Sequence, residues 1–172
     1  MENKTFKIIS EQSNIEWIGG KVTGEHNGTI GIKEGELTLS EGRLVSGKFI
    51  IDISSIKILD VTDPATNAQF AGHLASDDFF SSEKYPTAVF EITSVTDNYH
   101  IVGNLTIKGI THPIAFDASI TDNGDTIKAT GKIVVDRTKY DMKFRSGNFF
   151  QNLGDTLIYN DFNLTVNITA KA

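Results

Sequence analysis

Apolar side chains recur at every second position along most of this chain, the period of a β-strand with one buried face. The longest series is Val45, Gly47, Phe49, Ile51 and Ile53, with Lys48 and Asp52 opposite. Ala88, Phe90 and Ile92 alternate with Glu91 and Thr93, and Ile101, Gly103, Leu105 and Ile107 repeat the pattern. So do Ile114, Phe116, Ala118 and Ile120, then Ile127, Ala129, Gly131, Ile133 and Val135, and last Phe162, Leu164, Val166, Ile168 and Ala170. Ile15 with Trp17, Ile30 with Ile32, and Leu37 with Leu39 are shorter examples. Asp122-Asn123-Gly124-Asp125 reads as a tight hairpin turn, because Asn and Gly tolerate positive φ. Asp97-Asn98 reads as another turn. A meander of this kind removes its exposed edges by closing into an antiparallel barrel. A two-sheet sandwich would show the same alternation. The fold class is therefore all-β, with a barrel as the expected form.

One segment breaks the pattern. Asp63-Pro64 reads as a helix start, since Asp offers an oxygen to first-turn N–H groups and Pro fits the first helical position. Ser76-Asp77-Asp78 repeats that capping chemistry and predicts a second short helical piece. Tyr85-Pro86 then forces the backbone extended into a strand over 87–93. His73, Phe79 and Phe80 crowd this connection, and two adjacent Phe in a connection need a surface to bury against. The mouth of a barrel provides one. Residues 139–155 carry Phe144, Phe149 and Phe150 among polar residues and read as a ragged strand followed by a loop over one barrel end.

The inward positions mix large rings with Gly47, Gly103, Gly131, Ala88, Ala118 and Ala129. Small residues on an inner face either permit sharp curvature or leave room for a guest. The rings of Trp17, Phe49, Phe90, Phe116 and Phe162 are likewise open to two readings, core or cavity lining. Arg137 follows Asp136; its planar fork suits an anionic head group, or anchors a loop through an ion pair with Asp136 or Asp141. Tyr140 either offers a hydroxyl at the same mouth or packs. His73 lies near the presumed helix end, where an imidazolium suits the dipole; a hydrogen-bonded structural role is the alternative to a ligand contact.

Catalytic signals are sparse. The chain has no Cys, hence no disulfide, thiol nucleophile or Cys-based metal site. No pair among His26, His73, His100 and His112 has helical metal-ligand spacing. Neither a nucleotide-binding loop nor a nucleophile elbow is present. Asp77-Asp78 serves either as a helix cap or as an acid–base pair. No catalytic residue, metal or cofactor is expected. A net charge of −6 argues against nonspecific nucleic-acid binding and against attraction to anionic bilayers. No apolar run is long enough to be a transmembrane segment. The opening MENKTFKIISEQ lacks the apolar core and cleavage site of a signal peptide. As written, the chain reads as cytoplasmic; a leader removed from it would make it periplasmic or secreted. Its 172 residues suit one domain, 1–172.

Three motifs in order carry a resemblance. The run His73-Leu74-x-Ser76-x-Asp78-Phe79-Phe80 with Tyr85-Pro86 and Phe90, the run 103–113 (GNLTIKGITHP), and Asp136-Arg137-Thr138-x-Tyr140 together resemble the YceI-like family of bacterial lipid-binding proteins. The likeness extends from about Asn14 to the C-terminus. Two departures stand out: residues 23–30 (TGEHNGTI) are more polar and Gly-rich than the early strands of many members, and Ala71-Gly72 replaces an Arg-Asp pair before the His. The resemblance implies an extended eight-stranded lipocalin-like barrel that holds a long isoprenoid or similar lipid. The expected function is noncatalytic binding, storage or transport of an amphiphilic lipid, such as a quinone or polyprenyl chain. The expected ligand-binding set is Trp17, Phe49, Ile51, His73, Phe79, Phe80, Phe90, Ile92, Leu105, Ile107, Phe116, Arg137, Tyr140, Phe162 and Leu164. The alternatives are an enzyme acting on a small apolar substrate in the same cavity, and an interaction protein whose barrel is filled by its own side chains. A homodimer is compatible with either.

Overall fold

The computed structural model describes residues 3–22, 24–96, 98–147, 153 and 158–172. Among these, nine strands form one antiparallel sheet. They are β1 (Asn3–Ile8), β2 (Asn14–Lys21), β3 (Gly24–Ser40), β4 (Arg43–Ile58), β5 (Thr87–Val95), β6 (His100–Ile107), β7 (Ile110–Asp122), β8 (Thr126–Asp136) and β9 (Ile158–Lys171). The order β3-β2-β9-β8-β7-β6-β5-β4 closes through β3–β4 pairing into an eight-stranded barrel. The extra strand, β1, continues the wall at the position of β2. It pairs with Glu36–Ser40 of β3, whereas β2 pairs with Gly24–Gly31. Its sequence signal is short but present: Phe6 and Ile8 are buried while Thr5 and Lys7 are exposed.

The helix α1 (Pro64–Ala75) follows β4 and starts where the capping residues predict. Asp63 accepts hydrogen bonds from the Thr66 N–H at 2.9 Å and the Thr66 hydroxyl at 2.6 Å. The predicted second helix does not form. Ser76 instead ends α1, its hydroxyl and N–H both donating to the His73 carbonyl, and residues 77–80 make turns. The competing interaction is local: a Ser hydroxyl close to a free C-terminal carbonyl satisfies that carbonyl in place of starting a new turn. This connection, α1 and the 3-10 turn Arg137–Tyr140 gather at one end of the barrel, the lid end, where β2, β4, β6 and β8 finish. The β3–β4, β5–β6 and β7–β8 connections lie at the other, the floor end.

Two register features shape the wall. Val45 does not belong to the inward series: a register shift between Thr38 and Leu39 turns Leu44 inward and leaves Val45 45% exposed. Higher up, β4 carries an excess of residues opposite 29–31. Ser55 stitches this bulge, accepting from the Gly31 N–H and donating to the Asp52 carbonyl, both at 2.7 Å. Such a bulge bends the strand and redirects its side chains, so Ile56 reaches the lid end beyond Ile53.

The small inward residues also resolve. A β-carbon on Gly103 would lie 2.5 Å from the Phe90 ring, and one on Gly131 would lie 2.7 Å from the Phe116 ring. One on Gly47 would meet Leu37 at 2.8 Å. The room these three glycines leave is taken by neighbouring side chains and not by space for a guest. Phe90 lies between Phe49 and Phe116, at centroid distances of 5.3 and 5.7 Å. These rings fill the barrel's lower half.

Candidate functional site

The cavity lies at the lid end. Its volume is about 400 Å³. Its walls come from successive inward positions of β2 (Trp17, Gly19), from Ile30 and Ile56, and from Ile158 and Phe162 of β9. Its roof is α1, which contributes Thr66, Gln69, Phe70, His73 and Leu74. Those positions are spaced three and four apart, so one helix face lies over the barrel mouth. Phe79, Phe80, Met142 and Phe144 complete the enclosure. Among the described residues the lining is largely apolar, with cationic Lys21, Arg137 and Arg145 and one carboxylate, Asp161.

The polar groups of the lining are mostly occupied. Arg137 is 3% exposed, and its guanidinium donates to the carbonyls of Tyr159 at 2.9 Å, Ile158 at 3.0 Å and Met142 at 2.5 Å. The expected ion pair with Asp136 or Asp141 is not formed. Asp136 instead accepts from the N–H and hydroxyl of Thr138, at 3.0 and 2.6 Å, and so starts the 3-10 turn. Burial lowers the Arg137 pKa and the neighbouring Asp136 charge opposes that shift; a guanidinium remains charged throughout the physiological range. The result is a buried cation clamped by carbonyl dipoles, holding the start of β9 against the turn after β8.

His73 bonds Asp78 at 3.0 Å and packs edge-on against Phe79 and Phe144, at centroid distances of 5.0 and 4.6 Å. His26 bonds Asp60 at 2.8 Å and meets the edge of Phe70 at 4.7 Å. Each His thus ties the lid to itself or to the barrel rim. Burial pushes the Asp60 carboxyl upward, but hydrogen bonds from the Asn27 N–H and from His26 outweigh it and hold its pKa below 3.8. Lys108, in the β6–β7 turn, reaches under the lid. Its Nζ donates to the carbonyls of Asp77 and Asp141, both at 3.0 Å, joining two of the segments that frame the cavity.

The expected ligand-binding set divides in space. Trp17, His73, Phe79, Phe80, Arg137 and Phe162 line the cavity. Ile51, Leu105, Ile107 and Leu164 are 3–7% exposed and lie outside its lining. Phe49, Phe90, Ile92 and Phe116 surround a separate void of about 40 Å³ in the lower half. Tyr140 is 1% exposed, packs edge-on against His112 and also lies outside the cavity lining. Burial raises its pKa to about 12, so it stays a neutral phenol. Phe149 and Phe150 lie outside the described residues. Gly19, His26, Phe70, Leu74 and Met142 line the cavity without having been singled out. For Phe70 and Leu74 a signal existed: once Asp63-Pro64 sets the helix start, they fall on the face shared with Thr66 and His73. Among the described residues no three His, Asp or Glu side chains are grouped as a metal site. No helix among them is long and apolar enough to cross a membrane.

The sequence over residues 6–170 matches the family model of the YceI-like domain. The chain belongs to the YceI-like family. Among curated relatives, a UPF0312 protein of Staphylococcus aureus is 37% identical over 108 residues, a match covering 55% of this chain and 61% of that protein. Protein YceI of Escherichia coli O157:H7 is 32% identical over 101 residues, covering 57% and 50%. The YceI-like chain therefore matches only about half to three-fifths of the length of these relatives. Its fold is shared more fully. Burkholderia cenocepacia BcnA superimposes with a TM-score of 0.75 at 18% identity, covering 95% of this chain and 99% of that one. A polyisoprenoid binding domain from Saccharophagus degradans, implicated in plant cell wall breakdown, gives 0.69 at 11% identity, covering 97% and 98%. The YceI-like fold thus accounts for the eight-stranded barrel and its lid.

Proposed function

We propose that this protein is a noncatalytic carrier of an amphiphilic lipid with an isoprenoid tail, held in the lid-end cavity. The observation that carries this reading is the cavity itself: an apolar chamber of about 400 Å³, walled by barrel strands and roofed by one face of α1. Its volume falls in the range of small-molecule sites, about 300–1,000 Å³. The structural likeness to a polyisoprenoid binding domain supports the choice of ligand class. A carrier role is supported by the state of the polar groups, because His26, His73 and Arg137 are committed to structural hydrogen bonds. Binding would be driven by tail burial, about 0.8 kcal/mol per methylene before ordering costs. Among the described lining residues, Lys21, Arg137 and Arg145 outnumber the one carboxylate, Asp161, which favours a head group with partial or full negative charge in a chain that is acidic overall.

Purification under native conditions, lipid extraction and mass spectrometry test the proposal. The expected result is a prenyl lipid in stoichiometric amount. Protein that carries no lipid and takes none up from a mixed prenyl-lipid extract would refute it. Titration with a neutral and a diphosphate-headed chain of equal length then reads the head-group preference, with tighter binding expected for the charged head.

A further inference from the structure

We infer that this protein selects short tails, of about two to three isoprene units, because a layer of aliphatic side chains closes the barrel beneath the cavity. The inference rests on the carrier reading and adds the size of the ligand. On β9, Phe162 lines the cavity, Val166 and Ile168 line the separate lower void, and Leu164, the inward residue between them, lines neither. The same sequence of levels recurs on β4. There Ile56 lines the cavity and Phe49 lines the lower void, while Ile51 and Ile53 lie between.

Ile133 stands directly across from Leu164 on β8, and both are buried, at 4% and 7% exposure. On β3, Ile32, 3% exposed, likewise lies between Ile30 of the cavity and Leu37 of the lower void, and with Leu164, Ile133, Ile51 and Ile53 it makes a septum. Below it the space is already taken by Phe49, Phe90 and Phe116, which leave only about 40 Å³. A tail cannot pass the septum without displacing close-packed side chains, and packed cores resist that. Above it, about 400 Å³ accommodates roughly a dozen water-sized groups of about 30 Å³ each. That is the size of a two- to three-unit prenyl tail. Carbons beyond this length project through the mouth and bury little further apolar area.

The test is a titration of delipidated protein with prenyl alcohols of two, three, four and eight isoprene units, read by competition with a fluorescent probe. Each newly buried methylene contributes about a fourfold gain in affinity. Affinity should climb steeply from two to three units and then change less than about threefold out to eight. A continued climb of tenfold or more between three and eight units would overturn the short-tail inference while leaving the carrier reading intact. Binding of none of the four alcohols would overturn both. Ile133→Ala combined with Leu164→Ala should join the two voids and move the plateau to four units or beyond. Should that double variant not fold, Ile30→Phe fills the cavity from its wall and should move the plateau down to two units. A plateau unmoved by a folded variant of either kind would count against the septum.

Discussion

A β-carbon added at Gly103 would strike the Phe90 ring at 2.5 Å, whereas one added at Gly19 would meet nothing within 4 Å. Both glycines lie in strands of one barrel. Gly103 admits a ring from the adjacent strand, as Gly28 does for Trp17 nearer the lid, whereas Gly19 keeps space in front of the cavity wall. The lower half resembles an ordinary protein core. The upper half is a half-open cavity, roofed by a helix and braced by hydrogen bonds to its rim. Burial alone does not separate them: Trp17 at 7% and Phe49 at 5% exposure look alike until their neighbours are traced. What differs is whether the facing volume contains protein atoms.

The sharpest way to break this comparison is to truncate one ring in each half. Phe90→Ala should cost about 3–5 kcal/mol of unfolding free energy, the range for deleting a packed aromatic side chain. Phe70→Ala, in the half-buried roof, should cost less than half as much and mainly weaken lipid retention. Equilibrium denaturation of both variants checks the ratio, and equal losses would show that the upper half is packed like the lower. Arg137→Gln should come next, at about 2–3 kcal/mol, since one buried and two part-buried carbonyls lose charged donors. Its signature is a lower denaturation midpoint even without lipid.

The glycines give a smaller but cleaner contrast. Gly103→Ala should destabilise by about 1–3 kcal/mol through overpacking. Gly19→Ala should leave stability within about 0.5 kcal/mol of the parent and reduce affinity for the longest accommodated tail. The smallest effect is expected on the roof under acid. Asp60, Asp63 and Asp77 all have folded pKa values below 3.8. Asp60 is lowered by the Asn27 and His26 bonds despite burial, Asp63 by the Thr66 hydroxyl and N–H, and Asp77 by the Ser81 hydroxyl and then Lys84. Carboxyls depressed in this way stabilise the folded state fully above pH 3.8, and that contribution is lost as pH falls through the folded values. Amide exchange in α1, corrected for its intrinsic rate at each pH, should therefore accelerate as pH falls below about 4, before exchange in β6–β8 does. Simultaneous acceleration would mean that roof and barrel open as one unit.

The sequence by itself determined the local elements, because their causes are local. Alternation at Ile101, Gly103, Leu105 and Ile107 sets which face of β6 is inward, and only a two-residue period permits it. Asp63-Pro64 starts α1 through contacts within one turn, and Asp122-Asn123-Gly124 turns the chain because Gly124 sits at φ +89°. The three family motifs likewise pointed to the barrel that the structure shows. The tertiary structure decided what alternation does not encode. Leu44 replaced Val45 inside because β3 shifts register opposite it. Arg137 found three carbonyls delivered by residues 142, 158 and 159, from segments that meet only after the barrel closes. Above all, the inward face of each strand reads the same along its length, while the volume in front of it depends on what the opposite strands send across. That is why Phe162 and Phe49 carry the same sequence signal, yet one lines a cavity and the other lies in the packed half beneath the septum.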